Sequence, residues 1–274
     1  MKNRIFRSIK NQMINSDYKK HIIFSELSEY IDFYKSLSMS IFQFIPQGTS
    51  MMFNIDSYLI SSIQGTVESI KLILKDGKIN DSYALTRKFH ESVVINIYET
   101  LYLKDNFNID NFVVKKINDW VCDKEDLPQY RDMMEYICKS KALDRVNKML
   151  DVGLKGHYHN IRNKCNDHTH YNLFYYMMLN DNQIYLMDRL KFLDELSGDI
   201  RDIFILHFIW LFTLNGHYMA SSDYRDSLEC GITPEEDSQY WIAPFVQKVF
   251  DRIIKKYRID LATELKNTTC MKLE

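Results

Sequence analysis

Residues 22–45 carry Ile23, Leu27, Tyr30, Ile31, Tyr34, Leu37 and Ile41 at intervals of three or four. That spacing lines one face of an α-helix with apolar side chains. Pro46 and Gly48 end the pattern. A second stripe, Leu59, Ile63, Val67, Ile70 and Leu74, predicts a helix over about 55–74, closed by Asp76-Gly77 as a left-handed cap. Asn80, Asp81 and Ser82 then offer N-caps for a third helix through about 103, with Leu85, Phe89, Val93, Ile97 and Leu101 inward. The second and third helices read as an αα-hairpin.

Further helices are predicted at about 108–121, 127–150, 157–179, 184–197, 200–219 and 240–265. Their breakers are Pro128, Gly153 with Gly156, Asn180-Asp181-Asn182, Gly198, and the run from Gly231 to Pro234. No segment alternates with period two for long enough to predict a strand. The pattern gives an all-α protein with an N-terminal helical arm over 1–50 and one helical domain over 51–274.

Composition agrees with the pattern. Glycine and proline fill only 12 of 274 positions, under half their usual share, which disfavours sandwiches, barrels and multi-turn α/β folds. Tyr and Phe total 34, so the chain has the material for a packed core and is not of the disordered class. The longest greasy run, 203–214, is 12 residues against about 20 for a membrane span, and it contains His207. It reads as a buried helix. The five scattered cysteines, Cys122, Cys138, Cys165, Cys230 and Cys270, form no CxxC and read as free thiols of a cytoplasmic protein. The basic N-terminus has no apolar h-region and reads as a mobile arm.

Net charge is −2, which excludes a globally basic nucleic-acid coat but hides a local exception. From Arg145 to Lys164 there are five Lys or Arg and one acid, Asp151. Four of the eight histidines, His157, His159, His168 and His170, then fall within residues 157–172. At about 100° per residue, Arg162, Asn166 and His170 share one helical face, and His159 joins it from the preceding turn. His168 points about 120° away from Arg162. Arg can fork onto a phosphodiester, a neutral His can move a proton, and Asn can orient either group. Such a set needs no metal. Lys155 and Lys164 add positive charge for RNA, and Tyr158 or Tyr171 can stack on a base.

Arg162-Asn163-x4-His168 resembles the R-x(4–6)-H signature of the HEPN superfamily. The stretch Leu85 to Glu91, with Arg87 and Glu91 spaced as Arg-x3-Glu, resembles a helix of larger bacterial HEPN-like families. The resemblance covers roughly 80–180. It implies a helical bundle with additional N- and C-terminal helices, without a cofactor, cutting RNA by 2′-hydroxyl attack on the adjacent phosphate. It implies a homodimer with a shared cleft, a toxin or phage-defence role, and an antitoxin or defence partner. Arg162 and His168 take the family's roles. His170 has the better helical phase with Arg162, so either histidine can be the proton mover, with Asn163 or Asn166 orienting and His159, Arg87 and Glu91 supporting. Other readings remain: a catalytically inactive HEPN-like binding or regulatory subunit, a polar helix face without activity, or zinc on His157, His159, Cys165, His168 and His170. Arg87–Glu91 is also an ordinary i,i+4 ion pair. His90 and His207, on apolar helices, read as satisfied core histidines.

Overall fold

In the computed structural model, which describes residues 7–8, 16–153, 155–179, 184–185 and 189–274, the organising element is a 28-residue helix, Ile79–Asn106, buried on most of its circumference. In chain order the helices are α1 (Ser16–Lys19), α2 (Ile23–Ile41), α3 (Ile55–Lys75), α4 (Ile79–Asn106), α5 (Lys115–Val121), α6 (Tyr130–Lys139), α7 (Asp144–Met149), α8 (His157–Thr169), α9 (Phe174–Met177), α10 (Arg189–Leu214), α11 (Asp223–Glu229), α12 (Pro244–Val249), α13 (Lys255–Tyr257) and α14 (Ile259–Thr268). A π-helical stretch, Phe250–Ile254, joins α12 to α13. The all-α class is therefore correct. Among the described residues the regular strand pairing is two residues long, β1 (Arg7–Ser8) antiparallel to β2 (Ile184–Tyr185). No helix among them is long and apolar enough to cross a membrane.

α2 packs on α3, α3 on α4, and α4 also receives α6, α8 and α10. The segment expected as an N-terminal arm instead supplies core: Leu27, Tyr30, Tyr34, Leu37 and Ile41 of α2 are buried in the same cluster as α4 and α10. Tyr30 stacks on Phe204 at 4.1 Å, and Phe33 meets Phe204 edge-on at 5.3 Å. Amphipathic periodicity alone does not tell an arm from a core helix; the aromatic face decides it. The basic N-terminal residues 1–6 and 9–15 lie outside the described residues, as does the predicted breaker at 180–182.

Several predicted boundaries shift. The helices expected at 184–197 and 200–219 are one helix, α10, which runs through Gly198. A mid-helix glycine costs about 1 kcal/mol, and burial of Leu193, Leu196, Ile200 and Ile203 on its two sides outweighs that. The 127–150 prediction divides into α6 and α7, and only Lys115–Val121 of 108–121 is helical. The 240–265 helix is interrupted at Arg258, whose guanidinium bonds Asp260 and the Met149 carbonyl. The 157–179 helix stops at Thr169, with Tyr171 in the left-handed region at φ 51°.

Candidate functional site

The basic, histidine-rich segment forms α8, and two local features fix where it starts. A Cβ at Gly156 would lie 2.1 Å from the Asp151 carbonyl oxygen, so only glycine allows the chain to pass there. Asp151 then accepts from the His157 N–H through its carboxylate at 3.1 Å, satisfying one orphan donor of the helix start. α8 packs antiparallel on α4: Arg162 meets Glu91, and His168 meets Asn80 and Tyr83 nearer the start of α4.

This packing joins the two motifs that the sequence presents 71 residues apart. Arg162 donates from Nε at 3.1 Å and Nη2 at 2.9 Å to Glu91 Oε1, and Arg87 donates from Nε to the same oxygen at 2.9 Å. The Arg162 guanidinium also lies 4.2 Å from the ring centre of Tyr130 on α6, a cation–π contact that holds its plane. Side chains of Arg87, Glu91 and Arg162 are 29%, 31% and 20% exposed, so the cluster is open to a ligand while packed on one side. Two guanidiniums against one carboxylate leave a net positive surface, suited to a phosphate.

Behind the arginines sits His90, fully buried, with neither ring nitrogen bonded to protein. Its expected standing as a satisfied core histidine is therefore half right: it is core, but unsatisfied. Burial and then the Arg162 charge lower its pKa to about 3, so it is neutral. His207 fits the expectation. Its Nδ1 meets the Tyr34 hydroxyl at 3.0 Å and its Nε2 meets Asn96 Oδ1 at 2.8 Å.

The remaining predicted residues divide into those near Arg162 and those committed elsewhere. His168 is buried, its ring 3.6 Å from Tyr83 and 3.8 Å from Tyr176, with Nδ1 2.9 Å from Asn80 Oδ1. Burial first and the Lys164 charge second lower its pKa to about 4, against a smaller pull from Asp167. The motif histidine thus faces the protein interior, on the same buried stripe of α8 as Tyr158, Ile161 and Cys165 and 120° from Arg162. His170 is exposed just past the end of α8, where its N–H bonds the Asn166 carbonyl. Its place, eight residues after Arg162, is about 12 Å along the axis. His159 is half-buried one turn before Arg162, Asn163 is exposed, and Asn166 Oδ1 is buried without a hydrogen-bond partner.

Lys164 is engaged by both Asp199 oxygens, at 2.9 and 2.7 Å, so it neutralises a buried carboxylate rather than facing RNA. Tyr158 is likewise buried and cannot stack on a base, whereas Lys155 and Tyr171 are exposed. His157 pairs with Asp202 at 2.7 Å. Cys165 is buried, and burial pushes its thiol up to about 12. No group of three or more His, Cys, Asp or Glu among the described residues is placed to hold a metal ion, so the zinc reading has no site there. Sequence reasoning missed Tyr130, which no spacing ties to Arg162, and a buried pair, Asp56 and Glu99, on α3 and α4.

No protein-family model, curated protein or solved structure matches this chain.

Proposed function

We propose that this chain is a metal-independent endoribonuclease of the HEPN type, acting in a toxin or phage-defence role. The observation that carries the reading is the junction of Arg162 with Arg87 and Glu91 over Tyr130. An Arg of the R-x5-H pattern and an Arg-x3-Glu pair converge on one partly exposed, net positive cluster. In this mechanism Arg162 binds a non-bridging phosphoryl oxygen and stabilises charge that builds on the phosphorane. The ribose 2′-oxygen attacks phosphorus and its proton passes to a neutral imidazole. The P–O5′ bond breaks and the leaving oxygen takes a proton, giving a 2′,3′-cyclic phosphate and a 5′-hydroxyl. His170 suits the proton role better than His168, because it is exposed. His159, half-buried one turn before Arg162, is another candidate imidazole, and Asn163 and Asn166 orient the substrate. A homodimeric cleft and an antitoxin or defence partner follow from the resemblance to the HEPN superfamily.

The burial of His168 favours a second reading, a catalytically inactive HEPN-like binding or regulatory subunit. Incubation with RNA in EDTA separates the two. The enzyme reading predicts products ending in 2′,3′-cyclic phosphate and no cutting of a strand with 2′-deoxyribose throughout. RNA that is bound but left intact supports the inactive subunit, and cutting of the all-deoxy strand excludes the proposed chemistry.

A further inference from the structure

α4 runs about 22 Å beyond Glu91 and ends where two loops meet, 42–54 between α2 and α3 and 107–114 between α4 and α5. The loops are tied together. The Val114 N–H donates to the Gly48 carbonyl at 2.7 Å, and the Ser50 N–H donates to Asn118 Oδ1 of α5 at 2.7 Å. Gly48 has φ 75°, and a Cβ there would lie 2.6 Å from Leu103 Cδ2, so glycine is what lets the first loop lie on α4. The second loop turns through 108–111, where the Asn111 N–H donates to the Asn108 carbonyl at 3.0 Å and Ile109 stands at the tip.

These fixed loops present apolar side chains to water. Ile45 and Ile109 are each 83% exposed, Met52 81% and Phe112 65%. Ile45 and Phe107 line one cavity, and the Phe107 ring lies 6.0 Å from that of Phe112, so the two loops share a face. Single apolar side chains at a surface are ordinary, but a group of them on one face marks an interaction site. Charge is missing from the same face. Charged residues make up 26% of the chain, yet between Lys35 and Glu68 the one charged residue is Asp56, which is buried. Loop 107–114 carries one charge, Asp110. Around the rim Lys104, Lys115 and Lys116 are balanced by Asp105, Asp110 and Asp119, and Lys115 pairs with Asp119.

That charge pattern selects the occupant. A lipid surface favours apolar side chains ringed by a basic excess, which a balanced rim does not supply. The cores of interfaces between protein chains are depleted of charge and enriched in Met and aromatic residues. A two-fold axis sets each group opposite its own kind, so a charged surface meets itself at a Coulombic cost and an uncharged one does not. We infer that this face is a self-association surface. A second copy of the chain packs on it about a two-fold axis, loops 42–54 and 107–114 of one copy against those of the other, and Ile45, Met52, Ile109 and Phe112 leave water. The surface is separate from the Arg162 cluster and from the shared cleft that the nuclease reading expects there.

Sedimentation velocity of the full chain across a concentration series tests the assignment. The wild type self-associates reversibly, with the oligomer dominant at about 100 μM. Ile45→Asp and Ile109→Asp, one on each loop and both at exposed positions, keep the wild-type unfolding curve. Each raises the dissociation constant about tenfold or more. Flotation with vesicles of neutral or anionic phospholipid leaves the wild type unbound. A wild type that is monomeric at that concentration overturns the inference. So does an oligomer that both variants form at wild-type strength, which places the contact on another face. Vesicle binding by the wild type that both variants lose assigns the face to lipid and overturns it as well.

Discussion

Arg162 donates twice to a single oxygen, Glu91 Oε1, at 3.1 and 2.9 Å, although the two residues lie 71 positions apart. The other guanidinium on that oxygen belongs to Arg87. Glu91 thus positions the arginine that the proposed chemistry needs and also competes with an RNA phosphate for it.

That competition gives the first prediction. Glu91→Gln removes the negative charge from between the two guanidiniums. RNA affinity rises several-fold and the slope of log K against log salt steepens by about one, read by fluorescence anisotropy across a salt series. Cutting slows, because Arg162 loses the carboxylate that sets its plane.

His168 is expected to behave as a core residue. Truncating a ring packed between Tyr83 and Tyr176 costs about 2–4 kcal/mol, seen as a lower denaturant midpoint for His168→Ala. His170→Ala, at an exposed position, leaves the midpoint nearly unchanged and lowers the cleavage rate by about 100-fold or more.

How much of this was legible in the sequence follows from range. The stripes of α2, α3 and α4 were readable because 3.6-residue periodicity is local, and the Arg87–Glu91 pair was readable at i,i+4. The 120° phase of His168 against Arg162 was also there to read, but which side faces inward is set by how α8 lies on α4. Joining Arg162 to Glu91 and Tyr130 depends on how α8 and α6 lie on α4, which no local spacing encodes. Asp56 and Glu99 had no signal at all: each is an acid on an apolar helix, and only the packing of α3 on α4 makes them a pair. Gly198 misled because glycine's local cost is smaller than the burial gained by continuing α10.

Stability falls on acidification through three buried imidazoles. His90 and His207 are lowered to about 3 and His168 to about 4, each chiefly by burial. Their unfolded value is about 6.5. The unfolded chain therefore takes up protons that the folded chain refuses, and stability drops as pH falls from about 6.5 towards those folded values. Between pH 7 and 5 each contributes a loss of about 2 kcal/mol. Urea titrations of the wild type and His207→Gln at the two pH values check this: the variant's loss is smaller by about 2 kcal/mol.

Glu99 works in the opposite direction. Its folded value is raised by burial and then by the Asp56 charge, so its protonated form is favoured by folding, and stability is lost as pH rises above the unfolded value of about 4.3. Glu99→Gln removes that dependence. The variant gains on the wild type as pH rises from about 4.3 towards neutrality, by at most about 1.4 kcal/mol per pH unit. Parallel urea titrations of the two proteins across that range check it.

The most direct test of the nuclease account compares wild type with Arg162→Ala on a labelled RNA in EDTA, after matching their unfolding curves. The cluster is partly exposed, so the substitution costs about 1 kcal/mol or less and the fold survives. The account predicts cutting by the wild type and none detectable by the variant. Equal cutting by both proteins would contradict it.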